Sequence, residues 1–314
     1  MTQLPVSRHF TLHELGDGIY AAIHAPGGWA QSNAGIIDIG DRTLVFDAFL
    51  SPLAMQDLLA AAQALTGRPA HVVMNSHYHN DHIWGNQAVP WDTDIISTVK
   101  TRELIAARGT KEDQYYREHA VQRLNEAQAQ LERTSGEREK AHAQYFVVYY
   151  EAIVNTLPML PARVPNIVIQ DMLEFTGSKR RARFIARGGH TDSDAILHLP
   201  DDHMLFLGDL LFVHAHPYLA DGHPDELCRT AAHIKELRAD VLVPGHGSLG
   251  RVEDVNAMLE YINEMQELVQ QAIRDGITLE EIAKYPIPAK YFNWIFPNFY
   301  EENIQFLYQL CSTT

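Results

Sequence analysis

Cysteine is nearly missing from this chain: among 314 residues there are only Cys228 and Cys311, far apart in sequence. Two distant thiols build no disulfide framework, which agrees with a reducing compartment. Positive charge is also short, with 25 Lys and Arg against 40 Asp and Glu and a formal net charge of −15. That imbalance opposes the attraction on which non-specific nucleic-acid and anionic-membrane binding depend. No segment has the length of a membrane span, and the start, from Met1 to Phe10, lacks a cationic stretch followed by an apolar core. These absences lead us to expect a cytoplasmic chain with no nucleic-acid and no membrane partner. There is no Gly-x-Ser-x-Gly elbow to supply a serine nucleophile. What is present is ordinary for a globular protein: 46% hydrophobic and 21% charged residues, enough to bury a substantial core.

The hydrophobic pattern alternates between strand and helix. Strands are expected at 18–24, 33–39, 43–48 and 71–76, with Gly40-Asp41 as a tight turn. Between the last two, Ser51 reads as an N-cap and Pro52 as the first helical residue, and Leu53, Leu58, Leu59, Ala62 and Leu65 form a buried face before Gly67 and Pro69. Further strands are expected at 181–187, 194–199, 203–208 and 241–243, with helices at 224–238 and 251–274. The pattern amounts to two β-rich halves, each backed by helices. It forms one domain over 1–314, with residues 251–314 as a C-terminal helical extension.

Residues 101–162 break the alternation. Val121, Leu124 and Leu131 recur at helical spacing, Thr134-Ser135-Gly136 interrupts, and Tyr145, Val148, Ala152 and Thr156 mark a second helical face. A helical hairpin is expected here, closed by Pro158, Pro161 and Pro165. A lid, a dimerisation arm and a plain surface feature all suit it.

The densest chemistry lies in His77-Tyr78-His79-Asn80-Asp81-His82, where four metal-capable side chains follow an apolar, β-branched run. Open α/β sheets place their sites at such strand ends. Three later positions repeat the arrangement: Gly188-Gly189-His190, Leu207-Gly208-Asp209 and Val243-Pro244-Gly245-His246 each put a ligand-type residue just past a strand, beside glycine.

Taken together, these residues and Asp47 at the end of an early strand resemble the metallo-β-lactamase-fold hydrolase superfamily, with a ligand set similar to that of glyoxalase II. The likeness runs over roughly residues 18–250. It implies an α/β fold, an αββα sandwich here carrying the helical hairpin as an insertion, and two divalent metal ions at one edge. Carried over by position, His77, His79 and His190 bind the first ion, Asp81, His82 and His246 the second, and Asp209 bridges them, while Asp47 holds the ligand loop. Two ions about 3.5–4 Å apart lower the pKa of a shared water and polarise a substrate oxygen. The resemblance therefore implies a zinc-dependent hydrolase that directs a bridging hydroxide at a small ester, thioester, lactone or amide, with Asp81 as an additional catalytic group.

The departures narrow the family. Asp209 stands where thioesterase, lactonase and phosphodiesterase branches have Asp, and Cys228 falls too late to serve as the cysteine ligand of one β-lactamase class, so β-lactam hydrolysis is a minor reading. Phe212 replaces the Tyr found in acyl-homoserine lactonases. His79 replaces the Glu of oxygen-reducing di-iron relatives, which favours zinc and hydrolysis over iron and redox chemistry, with iron and manganese as the other ions that suit the set. An iron-dependent redox enzyme and a non-catalytic metal-binding sensor are the alternatives on the same fold. Trp29, Tyr78, Trp84, Phe212, His216 and Tyr218 adjoin the ligand segments and are the candidate contacts to a small-molecule substrate. Monomer and homodimer both remain open.

Overall fold

The computed structural model describes residues 4–312, so the extreme ends of the expected 1–314 domain lie outside the described residues. The first sheet contains, in order, β1 (Phe10–Gly16), β2 (Ile19–His24), β3 (Ala34–Asp38), β4 (Thr43–Phe46), β5 (Val72–Met74), β6 (Asp94–Thr98) and β7 (Ile167–Ile169). Its first four strands pair antiparallel and the last four parallel. The second sheet contains β8 (Met172–Thr176), β9 (Arg181–Arg187), β10 (Asp194–Leu199), β11 (Met204–Phe212) and β12 (Val241–His246), antiparallel except for the β11–β12 pair. The helices are α1 (Pro52–Thr66), α2 (Asn80–Ile83), α3 (Val99–Arg133), α4 (Glu137–Thr156), α5 (Pro224–Glu236), α6 (Val252–Arg274), α7 (Leu279–Ile282) and α8 (Asn298–Ser312). None is long and apolar enough to cross a membrane among the described residues.

Period-two alternation sorts the side chains into three apolar layers. Ile37, Leu44, Phe46 and Met74 face Phe184, Leu197, Phe206 and Val243 between the sheets. Their neighbours Ile36, Val45 and Val73 turn outward onto Ala54, Met55 and Leu58 of α1. On the other side Ile196, Leu205 and Leu207 meet Leu227 and Ile234 of α5 and Met258 and Ile262 of α6. Helices therefore cover both outer faces of a two-sheet core, the αββα sandwich expected.

Helix α1 begins as its residues dictate: the Ser51 side chain accepts from Leu53 N–H, Pro52 opens the helix, and Gly67 closes it at φ 75°. Its buried face departs from expectation. Leu53 is exposed and Leu59 and Leu65 are half-buried, because the helix is phased on Ala54, Met55, Leu58, Ala61 and Ala62. Strands β1, β6, β7 and β8 also go beyond the expected set. β1, β7 and β8 lie at sheet edges, where one neighbour suffices, and β7 leaves Ile167 and Val168 exposed.

β11 and β12 run past their expected ends, to Phe212 and His246. Register shifts between Phe206, Gly208 and Phe212 let the pair continue while its side chains are re-aimed. Asp209 thus sits inside a strand rather than after it. The interruption at 134–136 joins α3 to α4 as expected, and the hairpin leaves the first sheet after β6 and re-enters it at β7. Trp84, Tyr78, Ile83 and Leu50 pack against Ile105, Ala120, Ala152 and Ile153 and so anchor the hairpin.

The sheets approach closely at Gly35, where a Cβ would fall 2.3 Å from the Phe206 ring. We expect Gly35→Ala to lower stability by about 1–3 kcal/mol through this overlap. Urea unfolding should show the loss, and Phe206→Leu should recover part of it in the double variant.

Candidate metal centre

Asp47 organises the first half of the cluster. It lies just past β4 at φ 63°, a left-handed conformation that Asp tolerates better than most residues, and it is fully buried. Its carboxylate accepts from Ser76 N–H at 2.7 Å, Ser76 Oγ at 2.9 Å and His82 Nδ1 at 2.8 Å. Burial pushes the Asp47 pKa up, while the neighbouring His82 and the Ser76 bonds pull it down. Asn75 and Asn86 exchange side-chain hydrogen bonds at 3.1 and 2.8 Å, and Asn75 also donates to the His82 carbonyl. These contacts fix both ends of the segment that carries His77, His79, Asp81 and His82.

The second sheet supplies the remaining groups. Gly208 has φ 52°, and a Cβ there would lie 2.7 Å from Ser76 Cβ. A Cβ on Gly245 would lie 1.9 Å from Asp209 Oδ1, so glycine at that position leaves room for the carboxylate. Asn33 Nδ2 donates to the carbonyls of Pro244 and Gly247, both at 3.0 Å, bracketing His246. Asp194 accepts from the N–H groups of His190 and Thr191.

His77, His79, His190 and Asp209 present ligand atoms within 4.8 Å of one another, and Asp81, His82 and His246 form a second such group. Asp209 belongs to both by geometry. Its Oδ2 lies 3.3 Å from His190 Nε2 and 3.8 Å from His77 Nε2, whereas its Oδ1 lies 3.1 Å from His82 Nε2 and 3.3 Å from His246 Nε2. Asp81 Oδ2 is 3.3 Å from His246 Nε2 and 3.7 Å from His82 Nε2.

The outer hydrogen bonds determine which imidazole nitrogens carry protons. Ser76 Oγ gives its proton to Asp47, so it accepts from His77 Nδ1 at 2.9 Å and leaves His77 Nε2 bare. His79 Nε2 donates to Asp221 at 3.1 Å, and His190 Nδ1 donates to the Tyr218 carbonyl at 3.1 Å. The inward atoms, His79 Nδ1 and His190 Nε2, are then two lone pairs 3.0 Å apart. Burial holds His77 well below the ordinary imidazole pKa and lowers His190 to about 3, so both rings are neutral. In the other group burial opposes charge, but the surrounding carboxylates, Asp209 foremost, outweigh it and raise His82 well above its ordinary value and His246 to about 9. His77 Nε2, His82 Nε2 and Asp209 Oδ1 are buried without hydrogen-bond partners. Imidazole nitrogens and carboxylate oxygens converging in this way are the donor set that divalent cations of the zinc type require, and a cation there would take the place of the protons that the carboxylates draw onto His82 and His246. The residues present fit such ions.

A cavity of about 430 Å³ opens beside the cluster, lined by His79, Asp81, Asp209 and His246. Phe212 and Tyr218 also line it; Phe212 stacks on His246 with ring centres 5.2 Å apart. The other expected substrate contacts sit elsewhere. Tyr78 is buried and donates to Asp221 at 2.8 Å. Trp84 packs edge-on against Tyr116, and Trp29 lies beneath the Arg8 guanidinium. His216 corrects the expectation most plainly: it is buried among Tyr261, Trp294 and Tyr300, with Nδ1 3.1 Å from Tyr261 Oη, because the C-terminal extension folds over it.

Several residues at the site carried no sequence signal. Asp221 holds His79 and Tyr78 and pairs with Arg108 at 3.4 Å. Glu112 and Tyr116 from α3 and Tyr145, Phe146 and Tyr149 from α4 reach the cavity, as do Phe296 and Phe299. Burial raises Glu112 to about 7. The hairpin is thus a wall of the cavity.

Comparison with known proteins agrees with this architecture. The family model described as the metallo-beta-lactamase superfamily matches residues 27–246. No curated protein matches the sequence. Among solved structures, a metallo-beta-lactamase from Pontibacter korlensis is similar with a TM-score of 0.59 and 15% identity, over 81% of this chain and 99% of that one. DIM-1 metallo-beta-lactamase gives 0.55 and 13%, and a metallo-beta-lactamase from Hirschia baltica gives 0.56 and 15%, each over 81% of this chain and 97% of its own. At such identities the likeness is one of fold.

Removing the Asp47 carboxylate strands Ser76 N–H and His82 Nδ1 in a buried site. Asp47→Ala is expected to cost about 3–5 kcal/mol, the size seen when one partner of a buried charged pair is lost. Chemical unfolding in the presence of a chelator measures this free of any cation.

Proposed function

The chain belongs to the metallo-β-lactamase superfamily, and from that membership we propose that it is a dinuclear, zinc-dependent hydrolase of a small ester, thioester, lactone or amide. The observation that carries this reading is the division of the Asp209 carboxylate, one oxygen toward each group of imidazoles. On this reading His77, His79 and His190 would hold one ion, Asp81, His82 and His246 would hold the other, and Asp209 would serve both. Divalent ions in such a pair acidify water and polarise a carbonyl oxygen.

The chain's own residues supply the rest. Asp47 and Ser76 keep His77 and His82 in the tautomers that face inward, and Asp221 and the Tyr218 carbonyl do the same for His79 and His190. Asp81 lines the cavity beside His79 and Asp209, and there it would be placed to orient an attacking water or accept its proton. Glu112 faces the same cavity from α3, and because burial raises it to about 7 it can hold a proton near neutral pH. Phe212, Tyr145, Phe296 and Phe299 surround the acyl group with apolar surface and exclude bulk water.

Metal analysis of the purified chain, together with turnover of a thioester, a lactone, a β-lactam and a phosphodiester, tests the reading. Two zinc ions per chain and hydrolysis of an acyl substrate are expected. Iron with oxygen-dependent turnover, or a full metal load with no hydrolysis, would sink it in favour of the redox or sensor alternatives. Asp209→Ala should lose the second ion and nearly all activity; retention of both would remove Asp209 from the bridging role.

A further inference from the structure

A second and larger cavity, of about 630 Å³, adjoins the first, and Tyr145, His246 and Phe296 line both. The two spaces differ in charge. The one beside the cluster includes Asp81, Glu112, Asp209, Asp221 and Glu302, whereas the larger one has no Asp or Glu in its wall and contains one guanidinium, that of Arg138. In a chain with 40 acidic and 25 basic residues, that selection works against the overall composition.

Most of the larger cavity is apolar, with Ile23, Pro26, Ala141, Trp294, Ile295 and Phe296 among its walls. Arg138 is the one Arg, Lys, Asp or Glu side chain in this wall among the described residues; its Nη2 and Gln31 Oε1 have no hydrogen-bond partner within the chain, and both atoms are shielded from the cavity by their own side chains. Arg138, near the start of α4, lies with Cζ 3.9 Å from the centre of the Phe292 ring, which holds the guanidinium against the apolar wall. Gln31 is 1% exposed and has a left-handed backbone at φ 68°. Its Nε2 donates to the Gly28 carbonyl at 2.9 Å, which commits the amide orientation and leaves Oε1 as an acceptor. The neighbouring His24 accepts Gln31 N–H on Nδ1 at 3.1 Å, and burial keeps its ring neutral, so its proton is on Nε2. An apolar space of this size with a few fixed polar groups is the form of a small-molecule site. A guanidinium set in an apolar wall that holds no carboxylate is matched best by a ligand carboxylate, which the planar fork can take on its accessible edge.

We propose that this cavity binds the non-reacting part of the substrate, a bulky apolar group carrying a carboxylate, with the carboxylate on Arg138. The proposal rests on the hydrolase reading for the word substrate; the binding chemistry stands on the cavity itself. His246, shared by both spaces, marks where the bound group passes toward the cluster. The substrate class narrows accordingly to esters, thioesters or amides of amphipathic carboxylic acids.

The test compares 4-phenylbutyrate with 4-phenylbutanol, the same apolar body without the charge, on the full metal-containing chain. Calorimetry and the fluorescence of Trp294 read binding without any turnover. Wild-type protein should prefer the carboxylate by about tenfold or more, the effect of one charge-assisted hydrogen bond. Arg138→Met should abolish the preference, Arg138→Lys should restore part of it, and Ala141→Trp, which fills the space, should weaken both probes while metal content stays constant. Equal binding of the two probes by wild type overturns the proposal. So does a preference that survives Arg138→Met, since the carboxylate would then lie on the metal cluster. A chain that holds zinc and hydrolyses acyl substrates yet shows no preference refutes the cavity assignment alone. A preference governed by Arg138 without hydrolysis supports the cavity and refutes the reaction.

Discussion

The crowding of imidazoles and carboxylates into one buried cluster is the constraint around which this structure is arranged. His79 Nδ1 and His190 Nε2 stand 3.0 Å apart, and His77, His82 and Asp209 bury further polar atoms beside them. A folded chain accepts such crowding only where other interactions hold it in place. Asp47 does so from the first sheet with three accepted hydrogen bonds, and the irregular β11–β12 pairing does so from the second by turning Asp209 and His246 inward. The glycines at 208 and 245 then follow from space alone, since side chains there would occupy the positions of Ser76 and the Asp209 carboxylate.

The legible part of the site was the part encoded locally. Four candidate ligands fall within six residues, and His190, Asp209 and His246 each follow an apolar run next to glycine, so spacing alone exposed them. The two-sheet architecture was legible for a similar reason, because the long alternating strands carry their burial pattern in the sequence. Strands such as β7, with three residues and two exposed side chains, carry none. Asp221, Glu112, Arg138 and Gln31 were invisible for a different reason: nothing near them in sequence is unusual, and they reach the cavities only because the hairpin and the connecting loops fold back over the strand ends. His216 shows the converse. His214-Ala215-His216 repeats the His-x-His spacing of His77-Tyr78-His79, yet the extension that includes α6 and α8 encloses the His216 imidazole in an aromatic core.

Two adjacent spaces divide the work proposed for this chain. The acidic one contains the groups that would hold ions and handle protons, and the larger apolar one contains a guanidinium and no carboxylate. Keeping them apart has an electrostatic reason. A carboxylate-bearing ligand meets no acidic wall around Arg138, so on the reading proposed its charged end has a place apart from the cluster.

The hairpin formed by α3 and α4 contributes Arg138, Tyr145, Tyr149 and Glu112 to the cavity walls but none of the seven clustered ligand-type side chains. It leaves and rejoins the first sheet at neighbouring strands, β6 and β7. On the reading proposed, the hairpin would shape what the cavities admit while the clustered side chains sit on the two sheets and the loops at their strand ends, so a change in the hairpin walls at Arg138 or Tyr145 alters the space offered to a ligand without removing any of those seven side chains.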